Sequence, residues 1–299
     1  MKIRANGIDI EVEDSAQTDA SFASKPTVLL IMGLGMQLIA WPPEMEDALE
    51  NAGYRVVRFD NRDVGLSTHF DALGKPNLLW ASVKYKLGLV PAAPYTLGDM
   101  AADAIGVLDA LKIDQAHVVG VSMGGMIAQR VALAAPARTL SLTSIMSTSG
   151  ARGLPQAAPE VVRVLLSRPA GTSTAAVVEH TMRLFKAIGS PAYPAPEAEM
   201  RARVTEGVQR AFHPVGTARQ MLAVVADITR AALLGRITAP TLVIHGQADP
   251  LVPLACGEDT ARRIPGAQLL TIDGMGHDLP PEPVRQILAA LIPHLKATA

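Results

Sequence analysis

Apolar positions along this chain follow two rhythms, and the switches between them outline the fold. Residues 2–14 alternate apolar and polar around Asn6-Gly7, with Ile3 on one side and Ile8, Ile10 and Val12 on the other, the pattern of a tight hairpin. Six short apolar runs follow, at 26–32, 54–59, 116–121, 140–146, 240–245 and 267–272. Pro, Gly or polar residues bound them, as expected of strands covered on both faces. Between them lie helical stretches: one that Trp41-Pro42-Pro43 starts and that runs to about Ala52, one that Tyr95-Thr96-Leu97-Gly98-Asp99 opens and that runs to about Leu111 with apolar residues at helical spacing, then Met123 to Ala135, Pro253 to Ile264 and about Pro283 to Leu295. Strand and helix in alternation predict an α/β chain with a mostly parallel, eight-stranded sheet flanked by helices. The polar stretch 15–25 reads as a loop. Residues 70–95 are less regular, and Trp80, Tyr85 and Tyr95 there either line a pocket or pack on the surface.

The rhythm breaks after the sixth strand. Residues 150–232 hold no clear strand, only helical stretches at Pro159–Leu166, Ala175–Ile188, Pro196–Ala211 and Thr217–Thr229, separated by Pro and Gly. This division predicts a core made of residues 1–149 and 233–299, with residues 150–232 as a helical lid.

Composition narrows the function classes. The chain has 299 residues, a formal net charge of −1, 18% charged and 49% hydrophobic residues, which suits a large apolar core. Basic residues are neither in excess nor clustered, so a nucleic-acid surface is not expected. The single cysteine, Cys256, excludes an internal disulfide and argues against a cysteine metal site. No histidine–carboxylate metal motif stands out, so no metal and no cofactor is expected. The N-terminal residues show no apolar signal core and no run reaches membrane-spanning length, so a cytoplasmic protein without a membrane span is expected. The oligomeric state is open, a homodimer included.

The candidate chemistry centres on Gly120-Val121-Ser122-Met123-Gly124, between the strand at 116–121 and the helix from Met123. A strand-to-helix turn this tight strains the serine backbone and leaves no room for a β-carbon at Gly120 or Gly124. It lifts the Ser122 hydroxyl clear of the sheet and directs the Met123 N–H, at a helix N-terminus, into the same space. The glycine-rich loop Gly33-Leu34-Gly35-Met36 follows a buried strand and can offer a second N–H from Leu34 to a developing oxyanion. A dinucleotide reading of that loop fails, because it lacks the third glycine and leads into no suitably placed helix.

A serine hydroxyl needs a base within reach and a carboxylate to orient that base. In a parallel sheet both belong in loops at strand carboxyl ends. Of seven histidines, only His277 lies in a glycine-rich loop directly after a predicted terminal strand. Asp249 follows the strand at 240–245; Asp273 is a rival but sits too close to His277 in sequence. Asp60 and Arg62 form a candidate hydrogen-bonded pair that shapes the loop after Phe59.

Met32-Gly33-Leu34-Gly35, Asp60-x-Arg62-x-x-Gly65-x-Ser67, the Ser122 turn, Gly246-Gln247-Ala248-Asp249-Pro250 and Gly274-Met275-Gly276-His277 together resemble the α/β-hydrolases over essentially the whole chain. Met32-Gly33 followed by Trp41-Pro42, and Arg58-x-Asp60-x-Arg62-Asp63, are closer to the aclacinomycin methylesterase-like branch. The Gly33-Leu34-Gly35-Met36 loop departs from that branch, so the substrate does not transfer. The resemblance implies a serine carboxylesterase acting on a small-molecule ester: His277 deprotonates Ser122, Asp249 orients His277, and Leu34 and Met123 N–H groups hold the oxyanion. The same triad also serves C–C hydrolases, lactonases, perhydrolases and acyltransferases, and some members of the fold resemble ligand-binding receptors with little turnover.

Overall fold

The computed structural model describes residues 1–87 and 89–298, apart from the side chains of Leu79, Ser82, Tyr85 and Lys86; the pocket reading of Tyr85 lies outside the described residues. Strands β1 (Lys2–Ala5) and β2 (Ile8–Asp14) form the hairpin, with Asn6 at φ +46° and Gly7 at φ +77°, the left-handed pair that a two-residue turn requires. Residues 15–25 are not an open loop. Helix α1 (Ser15–Thr18) and a 3₁₀ turn at Ala20–Ser24 form there, because the Ala16 N–H donates to Asp14 at 3.0 Å and the Ser21 N–H to Asp19 at 2.8 Å.

The chain continues through β3 (Thr27–Ile31), α2 (Pro43–Asn51), β4 (Arg55–Phe59), α3 (Leu78–Lys86), α4 (Leu97–Ala110), β5 (Ala116–Val121), α5 (Met123–Ala134) and β6 (Thr139–Ile145). Then come five helices in succession: α6 (Pro159–Leu166), α7 (Thr174–Ile188), α8 (Glu197–Arg210), α9 (Pro214–Ala226) and α10 (Arg230–Leu233). The sheet resumes with β7 (Thr241–Gly246), followed by α11 (Leu254–Arg263), β8 (Gln268–Ile272) and α12 (Pro281–Lys296). Strand order is β1-β2-β4-β3-β5-β6-β7-β8; the pairs β1–β2 and β2–β4 are antiparallel and the others parallel.

Continuous apolar strands follow from helices on both faces. Leu29 and Ile31 of β3 pack with Met100 and Ala104 of α4 and Ile127 of α5. Val28 and Leu30, pointing the other way, pack with Met45 and Leu49 of α2 and Leu291 of α12. Each such side chain fully buried is worth roughly 1.5–3 kcal/mol. Val178, Met182 and Val204 make a small separate core between α7 and α8. The parallel strands bring the carboxyl ends of β3, β5, β7 and β8 to one edge, where their following loops converge. Among the described residues no helix is long and apolar enough to cross a membrane.

Candidate active site

Ser122 joins β5 to α5 at φ +55° and ψ −121°, a conformation L-residues rarely adopt. Its own N–H donates to the Ile145 carbonyl at 2.9 Å, and the Ser147 hydroxyl donates to its carbonyl at 2.7 Å, so the turn is held from β6. A β-carbon on Gly120 would run into the Gly124 carbonyl, and one on Gly124 into the Ile31 carbonyl. Both glycines are therefore required by close backbone approach. Gly33 lies against Ser122: a β-carbon there would stand 3.2 Å from the Ser122 Cβ. Among the described residues, the Leu34 and Met123 N–H groups have no protein acceptor.

The loops after β7 and β8 bring Asp249 and His277 to the serine. His277 Nε2 lies 2.9 Å from Ser122 Oγ, and His277 Nδ1 lies 2.6 Å from Asp249 Oδ2. With Nδ1 donating to the carboxylate, Nε2 is left to accept the serine proton. Asp249 is fully enclosed; its Oδ1 accepts the N–H groups of Leu251 at 2.9 Å and Val252 at 2.8 Å. The structure thus brings together Ser122, Asp249 and His277, and sets Gly120, Gly124, Met123 and Leu34 around them. Asp273 makes no contact with His277 among these bonds.

A model of the α/β-hydrolase fold family matches residues 26–283. The chain belongs to the α/β-hydrolase superfamily. Within that superfamily it is similar to the rhodomycin D methylesterase of Streptomyces peucetius, at 30% identity over 292 residues, covering 90% of this chain and 91% of the relative. Its fold is also that of a meta-cleavage product hydrolase from Pseudomonas fluorescens (TM-score 0.76, 20% identity, 100% of this chain and 98% of the other). An enol-lactonase from Burkholderia xenovorans superposes with TM-score 0.70 at 19% identity, covering 99% and 100%.

Several groups that hold the site of this α/β-hydrolase have no local sequence signal. The His277 N–H donates to the Ile188 carbonyl at 2.7 Å, and the Gly276 N–H to Ser190 Oγ at 2.9 Å. Ser190 in turn donates its hydroxyl to Asp278 at 2.5 Å and its N–H at 3.0 Å; burial pushes the Asp278 carboxyl up. Gln220 of α9 accepts the Gly35 N–H at 2.9 Å and donates to the Arg62 carbonyl at 2.7 Å. His245 Nε2 donates to the Val252 carbonyl at 2.7 Å and backs the Asp249 loop, and burial pushes its pKa down.

The expected Asp60–Arg62 pair does not form. Asp60 accepts the Leu38 N–H at 2.7 Å, the Leu66 N–H at 2.8 Å and Arg210 at 2.7 Å. Arg62 makes two 2.6 Å bonds to Asp103 and lies against the Phe70 and Tyr95 rings. A buried guanidinium needs a partner with two oxygens in its plane, and Asp103 on α4 supplies both while Asp60 is taken up by two backbone donors and Arg210.

One group among the described residues has metal-like spacing. Ligand atoms of His69, Asp71 and His213 lie within 4.8 Å of one another, on the loop after β4 and at the start of α9. The two rings are stacked at 4.0 Å and 4°, so their in-plane lone pairs run in parallel planes and do not converge on one ion. Asp71 bonds His213 at 2.8 Å, and His213 Nδ1 faces the Asp63 carbonyl at 3.1 Å, which makes the cluster a link between the β4 loop and α9.

Proposed function

We propose that this α/β-hydrolase is a serine carboxylesterase acting on methyl or short-to-medium acyl esters. The observation that carries the reading is the continuous chain of bonds from Asp249 through His277 to Ser122, at 2.6 and 2.9 Å. The similarity to a methylesterase supports ester over other acyl substrates. In this mechanism His277 Nε2 takes the Ser122 proton as Oγ attacks the ester carbonyl. The Leu34 and Met123 N–H groups receive the oxyanion, each worth about 3 kcal/mol. His277 returns the proton to the departing alcohol, leaving an acyl-enzyme. It then takes a proton from water, which attacks the acyl carbon; collapse restores Ser122 and releases the acid. Asp249 holds the imidazole orientation and stabilises its charged form throughout. Residues 150–232 serve as the lid over this site, and their apolar side chains face an apolar acyl or alcohol group.

Hydrolysis of p-nitrophenyl acetate, butyrate, octanoate and palmitate by the wild type and Ser122→Ala tests this. The expected result is turnover with an optimum at short or medium chains, and a loss of at least about a thousandfold in the variant. Absence of ester turnover in a folded protein would reject the esterase reading in favour of C–C hydrolysis, lactone opening, acyl transfer or ligand binding on the same residues.

A further inference from the structure

The exposed apolar surface of this molecule is unevenly spread. Among the described residues, seven of the twelve large apolar side chains left exposed lie between residues 66 and 90. Trp80 is 57% exposed and Leu87 70%, with Val83, Leu89 and Val90 beside them in sequence. Single exposed apolar side chains are ordinary, but a concentration of them marks a contact surface.

Charge is equally uneven there. Residues 72–98 contain three lysines, Lys75, Lys84 and Lys86, and no acidic residue, in a chain that carries 28 acids in 299 residues. Lys84 Nζ lies 5.9 Å from the centre of the Trp80 ring. Tryptophan flanked by lysine suits a boundary between water and hydrocarbon, where the ring and lysine stems enter and the ammonium groups stay at headgroup level. Next to it, Leu73, Trp80, Lys84, Arg219 and Leu222 line a cavity of about 280 Å³ between α3 and α9.

We propose that the surface around Trp80 docks this protein on an anionic lipid bilayer. Trp80, Leu87, Leu89 and Val90 enter the headgroup–acyl boundary, and Lys75 and Lys84 meet anionic headgroups. Charge favours a bilayer over a second copy of the chain. A two-fold interface would set the same lysine-bearing stretch against itself with like charges facing, and the carboxylate at its edge, Asp71, is already paired with His213 and Arg219. Docking is peripheral, since no described helix can span a bilayer. It also bears on the site: α3 packs against α9, whose Gln220 holds the Gly35 N–H.

The test uses the full chain with vesicles of phosphatidylcholine alone and of phosphatidylcholine mixed with phosphatidylglycerol. Trp41 is fully buried, so a change in tryptophan emission reports Trp80. The expected result is flotation with the mixed vesicles only, weakened by salt, with a blue-shifted emission that Trp80→Phe removes. The double variant Lys75→Glu/Lys84→Glu binds at least about tenfold more weakly. Both variants alter exposed or half-buried side chains, and a wild-type thermal midpoint confirms that they fold. Failure of the wild type to float, or equal flotation of the double variant, would overturn the proposal. So would a dimer by light scattering that Leu87→Asp dissociates, which would give this surface to a second copy.

Discussion

Ser190 is the point where the segment after α7 grips the loop that carries His277. Its hydroxyl accepts from Gly276 and donates to Asp278, the two residues flanking the histidine. Removing the hydroxyl leaves the buried Gly276 N–H without its acceptor and takes from Asp278 one of its two Ser190 donors, the backbone N–H remaining, and it lets the imidazole drift from Ser122. Displacement of about an ångström costs on the order of 100-fold in rate. Ser190→Ala is therefore expected to lower kcat by roughly 10- to 100-fold with KM little changed, and Ser190→Thr to recover most of it. A purely structural role would instead lower the thermal midpoint and leave kcat of the folded fraction intact. Ser122, Asp249 and His277 were legible in the sequence because each sits directly after a predictable strand, in a loop with turn-forming glycine or proline. Ser190, Asp278 and Gln220 were not, since their roles depend on contacts across 86 to 185 residues of chain. Asp60 and Arg62 misled for the same reason: their partners are on α4, on α8 and in backbone turns.

At the scale of the element, β5 shows what a fully buried strand imposes. His117 lies within it, fully buried, with Nδ1 2.9 Å from Ser141 Oγ on β6. Burial first, then the nearby His294, push its pKa down from the usual 6.5 to about 4. Between pH 6.5 and 4 the unfolded chain binds a proton at this position that the folded chain does not. Stability is therefore complete above pH 6.5 and falls as the pH drops toward 4. The loss from this residue is about 3 kcal/mol. Urea unfolding at pH 7.5 and 4.5 should show the decline, and His117→Gln should flatten its slope. The strands and most helices were legible because apolar runs and helical spacing report burial directly. Residues 15–25 were not, since polar composition conceals the Asp14 and Asp19 caps that turn the chain there.

Across the whole molecule, the helices between β6 and β7 are joined to the sheet by buried charge as well as by apolar contact. Arg219 of α9 is fully buried and bonds Asp63 at 2.7 and 2.8 Å, with the Tyr95 hydroxyl completing the carboxylate at 2.8 Å. Burial pushes Asp63 up, but bonds from Arg219, the Phe70 N–H and Tyr95 outweigh it and hold the carboxyl below its usual range. Arg219→Leu leaves Asp63 buried without its counter-charge, an expected cost of about 3–5 kcal/mol by urea unfolding, partly recovered by adding Asp63→Asn. The sequence pointed to the superfamily through its loop motifs, but nothing in it announces this junction, which is specific to how α9 meets the β4 loop. In the proposed reaction an acyl group passes through Ser122. The most direct test of this step is acid quenching during turnover of p-nitrophenyl butyrate, followed by peptide mass mapping. A butyryl group is expected on the peptide containing Ser122, forming within one turnover and absent in Ser122→Ala. Continued ester turnover by Ser122→Ala, or acylation at another residue, would contradict it.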